Sequence, residues 1–359
     1  MRYLSAFILC MLVSLLAASQ VPDSTLTIGQ HLEDYDFTVK YIEDNYSGFS
    51  FWVMDSTRAD YEAMKVRLRD EVERGERPGW DAASAYTGWF GDFHMVVSVY
   101  NGNPFAYFKR QFVVYPDFME EYRPQAVALK VTDKTFLIRF PSCGGNPDMK
   151  WIKNSVKQFK KSHCENLILD IRGNGGGSDY FFYPYRELLY DHEATITNIE
   201  FRNTPQNMAY LNKKGWFPGI QQTAKEYPQL EFIPLNCEKV HYKKRDKRVR
   251  KAALIIDNAV GSSGEEMVRE IRASSDRVTV YGRDNTFGCL DFANVSRVSM
   301  PNCGLSFGVP LSRSTGLPET SVDRDGLAPD FRIDLPLPVR LTDNIDDWTL
   351  WIATQLEKQ

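Results

Sequence analysis

The sequence is short of the residues that staple or metallate a fold. Six cysteines are spread over 359 residues, and Cys10 lies inside an N-terminal apolar run. The other five, Cys143, Cys164, Cys237, Cys289 and Cys303, form an odd, sparse set, which excludes a disulfide framework. A single bridge stays open, with Cys289 and Cys303 the closest pair in sequence. No Cys-x-x-Cys and no Cys/His spacing of a zinc site occurs, so no metal is implied, and no organic cofactor either. Histidine is scarce, with five residues, so chemistry that needs an imidazole has few candidates. Charge of one sign is lacking too. A net charge of -4 gives no electrostatic case for nucleic acid or an anionic membrane surface. Beyond the N-terminus no apolar run is long enough to span a bilayer. There is no internal repeat and no low-complexity tract.

What is present is the composition of a globular protein, 43% hydrophobic and 25% charged. The length suits one large domain or two modest ones. Arg2, the apolar stretch 4–16 and the small residues Ala17-Ala18-Ser19 have the layout of a secretory signal peptide. The expectation is a mature chain starting near Gln20, periplasmic or extracellular, with an uncleaved anchor as the alternative. The basic run 239–251 reads as a solvated loop.

Residues 24–92 carry helical spacing, for example Tyr35, Val39, Tyr41 and Ile42, then Tyr61, Met64, Val66 and Leu68. Segments 96–100 and 111–115 read as strands. Segment 127–140 follows, with Asp133-Lys134 as a hairpin turn inside it. Strands and helices then alternate: strand 135–140, helix 148–162, strand 166–171, helix 180–190, strand 252–256, helix 263–273, strand 278–281. This predicts an α/β fold with a largely parallel sheet and covering helices, preceded by a small helical region. Ile345, Trp348, Ile352 and Leu356 share one face of a last helix that packs back onto the body.

Four segments can carry chemistry. Gly261-Ser262-Ser263-Gly264-Glu265 follows an apolar strand and opens a helix, which sets a serine hydroxyl beside free backbone N–H groups. The same serines suit a plain helix cap. The run Gly173-Asn174-Gly175-Gly176-Gly177 also ends a strand, and its glycines can present amides at close range. It lacks the Gly-Lys-Ser/Thr of a phosphate loop and the spacing of a dinucleotide fingerprint. A structural turn is the alternative. His94, in Gly91-Asp92-Phe93-His94, is the histidine with apolar flanks, whereas His31, His163, His192 and His241 sit in polar contexts. Imidazole is the usual base for activating a serine. Finally, the turn 321–330 holds carboxylates, including Asp323 and Asp325, of the kind that orient a histidine or simply face solvent.

In this order, these pieces resemble the tail-specific (C-terminal processing) and tricorn-like serine peptidases of the ClpP/crotonase-like folds. The resemblance covers roughly residues 90–335. It rests on Gly91–His94, the strand and glycine run 167–177, Gly261–Glu265, the stretch from Tyr281-Gly282 to Thr286-Phe287-Gly288, and Asp325-Gly326-Leu327-Ala328-Pro329-Asp330. It implies Ser262 as nucleophile, the Ser263 and Gly177 amides as oxyanion donors, and Gly175 and Gly176 as shapers of the loop. Tail-specific members carry a lysine base directly after Thr-Phe-Gly; here that position is Cys289. The interval from His94 to Thr135 is also too short for an inserted PDZ domain. Both differences point to a histidine-type branch, with His94 as base and Asp323, or second Asp325, as acid. The implied organisation is a signal peptide 1–19, a small helical N-terminal domain 20–92 and a peptidase domain 93–359 without a PDZ insertion. The implied activity is that of a secreted serine endopeptidase on peptides or unfolded protein segments. The alternative is a catalytically silent binding protein on the same fold, and an esterase would use the same nucleophile.

Overall fold

The computed structural model describes residues 26–98, 122, 124–235 and 239–358. The signal segment, the strand expected at 111–115, Cys10 and Cys237 lie outside them.

The central sheet has six strands: β1 (Val127–Lys130), β2 (Thr135–Arg139), β3 (Asn166–Asp170), β6 (Lys251–Ile256), β7 (Val278–Gly282) and β10 (Phe331–Arg332), in that spatial order. The β1–β2 hairpin is antiparallel, with Val127 opposite Arg139, and every later pairing is parallel. Parallel strands covered on both faces read as near-continuous apolar runs, which is how β3 and β6 read. Their period of two divides the core. Leu167, Leu169, Leu254 and Ile256 face one layer with residues of the helices Met149–Ser162, Tyr183–Leu189 and Ser263–Ser274. Ile168, Ala253 and Ile255 face the other, with Trp348, Ile352 and Leu356 of the C-terminal helix Asp347–Lys358. A buried ionic cluster clamps that helix to the end of β3. Asp170 accepts from Arg139 at 2.8 Å and from Arg172 at 2.7 Å, and Arg172 also donates to Asp346 at 2.6 Å. Burial works against the Asp170 anion, yet Arg172 and Arg139 hold its carboxyl below the usual range.

A second, antiparallel sheet follows the order β5 (Phe232–Pro234), β4 (Ile199–Arg202), β9 (Ser306–Ser314), β8 (Phe292–Ser299). The N-terminal helices Ile28–Asn45, Phe49–Trp52, Asp55–Glu73 and Gly79–Phe90 share one apolar core with β8 and β9. Tyr46 meets Phe292 at 5.6 Å between ring centres, and Tyr41 meets Phe307 at 6.0 Å. Val66, counted above to an apolar face, is exposed. The basic run 239–251 is mostly exposed, as expected of a surface loop.

The bridge left open between Cys289 and Cys303 is not formed: both are free thiols. The two flank the ends of β8, whose 8 residues set them apart; a strand of that length spans roughly 25 Å, against about 7 Å at most between the Cα atoms of a disulfide.

Trp348 is fully buried, so Trp348→Ala should cost about 3–5 kcal/mol in denaturant unfolding, while Leu350→Ala on the exposed face of the same helix should change stability by less than about 0.5 kcal/mol.

Candidate active site

β3 and β6 are parallel neighbours, so the loops at their carboxyl ends lie side by side. The β3 loop is the glycine run. Two buried side chains fix it. Asn174 Oδ1 accepts from the Gly176 and Cys143 amides at 3.0 and 3.2 Å, and its Nδ2 donates to the Phe140 carbonyl at 3.1 Å. Asp257 Oδ1, at the end of β6, accepts from the Gly173 and Ala259 amides, each at 3.0 Å. Burial pushes the Asp257 carboxyl up to about 6. The loop then lies directly on the serine turn. A Cβ on Gly176, which has φ +96°, would stand 2.8 Å from Ser262 Cβ and 2.9 Å from Ser263 N. One on Gly177, at φ +139°, would strike the Cys143 carbonyl oxygen at 2.2 Å. Only glycine fits either place.

Ser262 occupies φ 52°, ψ −123°, a backbone region that non-glycine residues adopt only under constraint. Its hydroxyl caps no helix amide. The Glu265 and Glu266 amides go instead to the Ser262 carbonyl at 2.8 and 2.9 Å. Ser263 is buried and its hydroxyl bonds Asp179, whereas Ser262 is half-buried. Among the described residues, the Gly177 and Ser263 amides have no protein acceptor. Such amides beside a serine hydroxyl are what an oxyanion requires.

The turn is held by Glu265. Its Oε2 accepts from the Ser262 and Cys289 amides at 3.2 and 2.8 Å, and its Oε1 from the Gly288 amide at 2.7 Å and the Thr286 hydroxyl at 2.5 Å. The Ser262 amide also donates to the Cys289 carbonyl at 3.1 Å. The segment 286–289 is thereby fastened along the serine turn.

His94 also reaches this segment. After helix Gly79–Phe90 a short 3-10 turn, Phe93–Met95, folds back, and the His94 amide donates to Asp92 Oδ1 at 2.9 Å. The ring then lies between Asp92 and Cys289. Its Nδ1 is 3.5 Å from Asp92 Oδ1 and 3.2 Å from Cys289 Sγ, and its Nε2 is 3.5 Å from the same sulfur. The Tyr46 hydroxyl donates to Asp92 Oδ2 at 2.8 Å, and the Trp52 indole N–H donates to the Tyr46 oxygen at 2.9 Å. Burial, then the carboxylates of Asp323, Asp92, Glu265 and Asp291, push the Cys289 thiol well above its ordinary range.

The glycine run, Ser262 and Ser263 are thus packed together, and His94 meets the same segment at Cys289. Asp323 has other partners than the imidazole: its Oδ1 accepts from the Leu290 and Asp291 amides at 2.6 and 2.7 Å. Burial first, then Asp92 and Asp291, push its carboxyl well above the usual range. Asp325, the second choice, is exposed. The carboxylate that touches the ring is Asp92, which the sequence reading quoted within the histidine segment without a role. Glu265, Asn174 and Asp257 were also passed over. Their signal, a carboxylate or amide just inside a glycine or Gly-Ser turn, is present in the sequence but not distinctive.

Comparison with known families now bears on this geometry. The sequence profile of peptidase family S41 matches residues 134–333, more than half of the chain. The chain belongs to peptidase family S41. It is a serine-type peptidase, with peptides or proteins as its class of substrate. No curated protein matches it. Among solved structures, mature CPAF complexed with lactacystin superposes with a TM-score of 0.63 at 12% identity, over 92% of this chain and 97% of that one. A candidate peptidase from Parabacteroides merdae superposes with a TM-score of 0.56 at 16% identity, over 84% of this chain and 89% of that one. At such identities the likeness concerns the fold.

Glu265→Ala removes the acceptor of the Gly288 and Cys289 amides and of the Thr286 hydroxyl, at about 1–3 kcal/mol each, while the Ser262 amide keeps the Cys289 carbonyl; thermal or denaturant unfolding should show a loss of at least about 3 kcal/mol. Asp257 gives a pH signature. Its folded pKa lies above the unfolded value of about 4, so the stability it contributes is complete at low pH and is lost as pH rises to about 6. Denaturant titrations should therefore show wild type losing stability relative to Asp257→Asn across that interval, with a constant difference above it.

Proposed function

We propose that the protein is a secreted endopeptidase that cleaves peptides or unfolded protein segments through an acyl-enzyme on Ser262, with His94 as the base. His94 takes the proton from the Ser262 hydroxyl as the oxygen attacks the peptide carbonyl. The Gly177 and Ser263 amides receive the oxyanion. The imidazolium then returns its proton to the leaving amine, and water hydrolyses the ester in a second, equivalent cycle. The observation that carries the reading is the Ser262 turn itself. A serine held at positive φ, its hydroxyl free of helix capping, lies against a glycine loop with unused amides. Cys289 links it to the base, its carbonyl on the Ser262 amide and its sulfur on the His94 ring.

In this reading the ring turns from the sulfur to Ser262 during catalysis, and Asp92 holds its other nitrogen. The role expected of Asp323 passes to Asp92, whose contact with Nδ1 supports it. Secretion rests on the signal-like segment 1–19. No helix among the described residues is long and apolar enough to cross a membrane.

The test is labelling by a fluorophosphonate probe, which reports the nucleophile without assuming a substrate. Wild type should label. Ser262→Ala should not, and His94→Ala should label at least about 10²-fold more slowly. Asp92→Asn should slow labelling more than Asp323→Asn does. Equal labelling of Ser262→Ala would remove the nucleophile assignment. A folded wild type that never labels would favour a peptide-binding role.

A further inference from the structure

We propose that Asp92, His94 and Cys289 form a binding site for zinc, and that the bound ion silences the peptidase by occupying the base. The second half rests on the functional reading above; the first does not.

One ligand atom from each of the three residues lies within 4.8 Å of the others. Two of the three separations are close to those a tetrahedral ion imposes. With zinc bonds of about 2.3 Å to sulfur and about 2.1 Å to nitrogen or oxygen, tetrahedral angles place sulfur and nitrogen about 3.6 Å apart and nitrogen and oxygen about 3.4 Å apart. Here Cys289 Sγ and His94 Nδ1 are 3.2 Å apart, and His94 Nδ1 and Asp92 Oδ1 are 3.5 Å apart. The sulfur also lies 3.5 Å from His94 Nε2, against the roughly 5 Å that an ion held at Nδ1 would set, so the ring must turn to aim Nδ1 at the ion. Thiolate, imidazole and carboxylate together select a borderline-soft dication such as zinc. Calcium and magnesium call for oxygen cages.

The surroundings suit the ion as well. Asp92 is oriented by the Tyr46 hydroxyl on one oxygen and the His94 amide on the other, with Trp52 behind Tyr46. Outer partners of this kind fix metal ligands in place. Asp92 and Cys289 are fully buried and the His94 side chain nearly so. Asp323 and Asp291 bear on the sulfur, and each has one buried carboxylate oxygen with no hydrogen-bond partner. Three protein ligands leave a fourth position for water.

Binding displaces the Cys289 proton to solvent and forms the Zn–S bond, with no change of oxidation state. The inhibition follows from the ring. A neutral imidazole has one nitrogen lone pair. Spent on zinc at Nδ1, it leaves Nε2 as an N–H that cannot accept the Ser262 proton. None of this is visible as a sequence motif, because Cys289 stands 195 residues from His94.

The experiment uses the full mature chain, stripped with a chelator. Cobalt(II) is titrated in as the optical probe, then displaced with zinc, and fluorophosphonate labelling is followed with and without zinc. The expected result is a thiolate-to-cobalt charge-transfer band at one equivalent. It should be lost in Cys289→Ser, weakened at least tenfold in Asp92→Asn, and kept in Cys303→Ser. Zinc should cut wild-type labelling at least tenfold, and chelator should restore it. Thermal melting checks that each variant folds, and His94→Gln supplies the same optical readout should Cys289→Ser fail to. No charge-transfer band in wild type, or a band that survives Cys289→Ser, overturns the site. A Cys289-dependent band with labelling indifferent to zinc overturns the inhibition. A Cys289-dependent band in a wild type that never labels, even without zinc, removes the peptidase reading and the inhibition while the metal site stands.

Discussion

The site depends on one buried carboxylate. Glu265 lies in the first turn of the helix that Ser262 opens, is fully buried, and takes hydrogen bonds from Ser262, Thr286, Gly288 and Cys289. Burial raises its pKa, and these bonds oppose the rise. A carboxylate out of water is tolerable only when its lone pairs are used, so the two loops must close on it. Closure sets the backbone of Ser262 at positive φ and brings Cys289 alongside. The strain at the serine is thus the local consequence of satisfying a buried charge one helical turn away. Thr286 extends the connection, since its hydroxyl also accepts the Leu327 amide at 2.6 Å and so anchors the segment after Asp323.

A second clasp works by the same rule. Asp323 accepts from the Leu290 and Asp291 amides, and Asp291 in return accepts from the Val322 and Asp323 amides at 2.6 and 2.8 Å. Each carboxylate satisfies the backbone that carries the other. The cost is electrostatic, because Asp92, Asp323, Asp291 and Glu265 all bear on Cys289. This field decides which nucleophile the site can use. It holds Cys289 as a thiol, and a thiol is a poor nucleophile. Attack by cysteine does not fit this field.

The legible parts of the sequence were those where chemistry and period coincide over a short stretch. β3 and β6 are apolar runs ending in glycine or Gly-Ser turns, and both run and turn are local, so their ends follow from the sequence alone. The antiparallel sheet was not read. β8 buries only two of its eight residues, Phe292 and Ser296, and no simple alternation marks it. The contacts of His94 were hidden for a different reason. Asp92 acts through a fold-back of a single 3-10 turn, and Cys289 arrives from far along the chain. Asp323 was singled out as a carboxylate near a turn, but its Oδ1 is spent on loop amides that the sequence does not reveal. Nearness in sequence left a Cys289–Cys303 bridge open, but the strand between them keeps the two apart.

The exchange of lysine for cysteine at position 289 is tied to the carboxylates around it. A lysine base must be neutral to accept a proton from serine, and negative neighbours favour its charged form. Asp92, Asp323, Asp291 and Glu265 all bear on position 289 and, where ionised, would favour an ammonium there over the neutral amine. A Ser–Lys pair would therefore require these acids to be removed or moved together with the lysine's arrival. Imidazole escapes the constraint. The ordinary pKa of an imidazole lies near neutral pH, so it needs no such shift. If the base is His94, position 289 takes no part in proton transfer. What it must still provide is a side chain small enough for the closed loop and a backbone that holds Ser262 on one face and Glu265 on the other, and cysteine provides both.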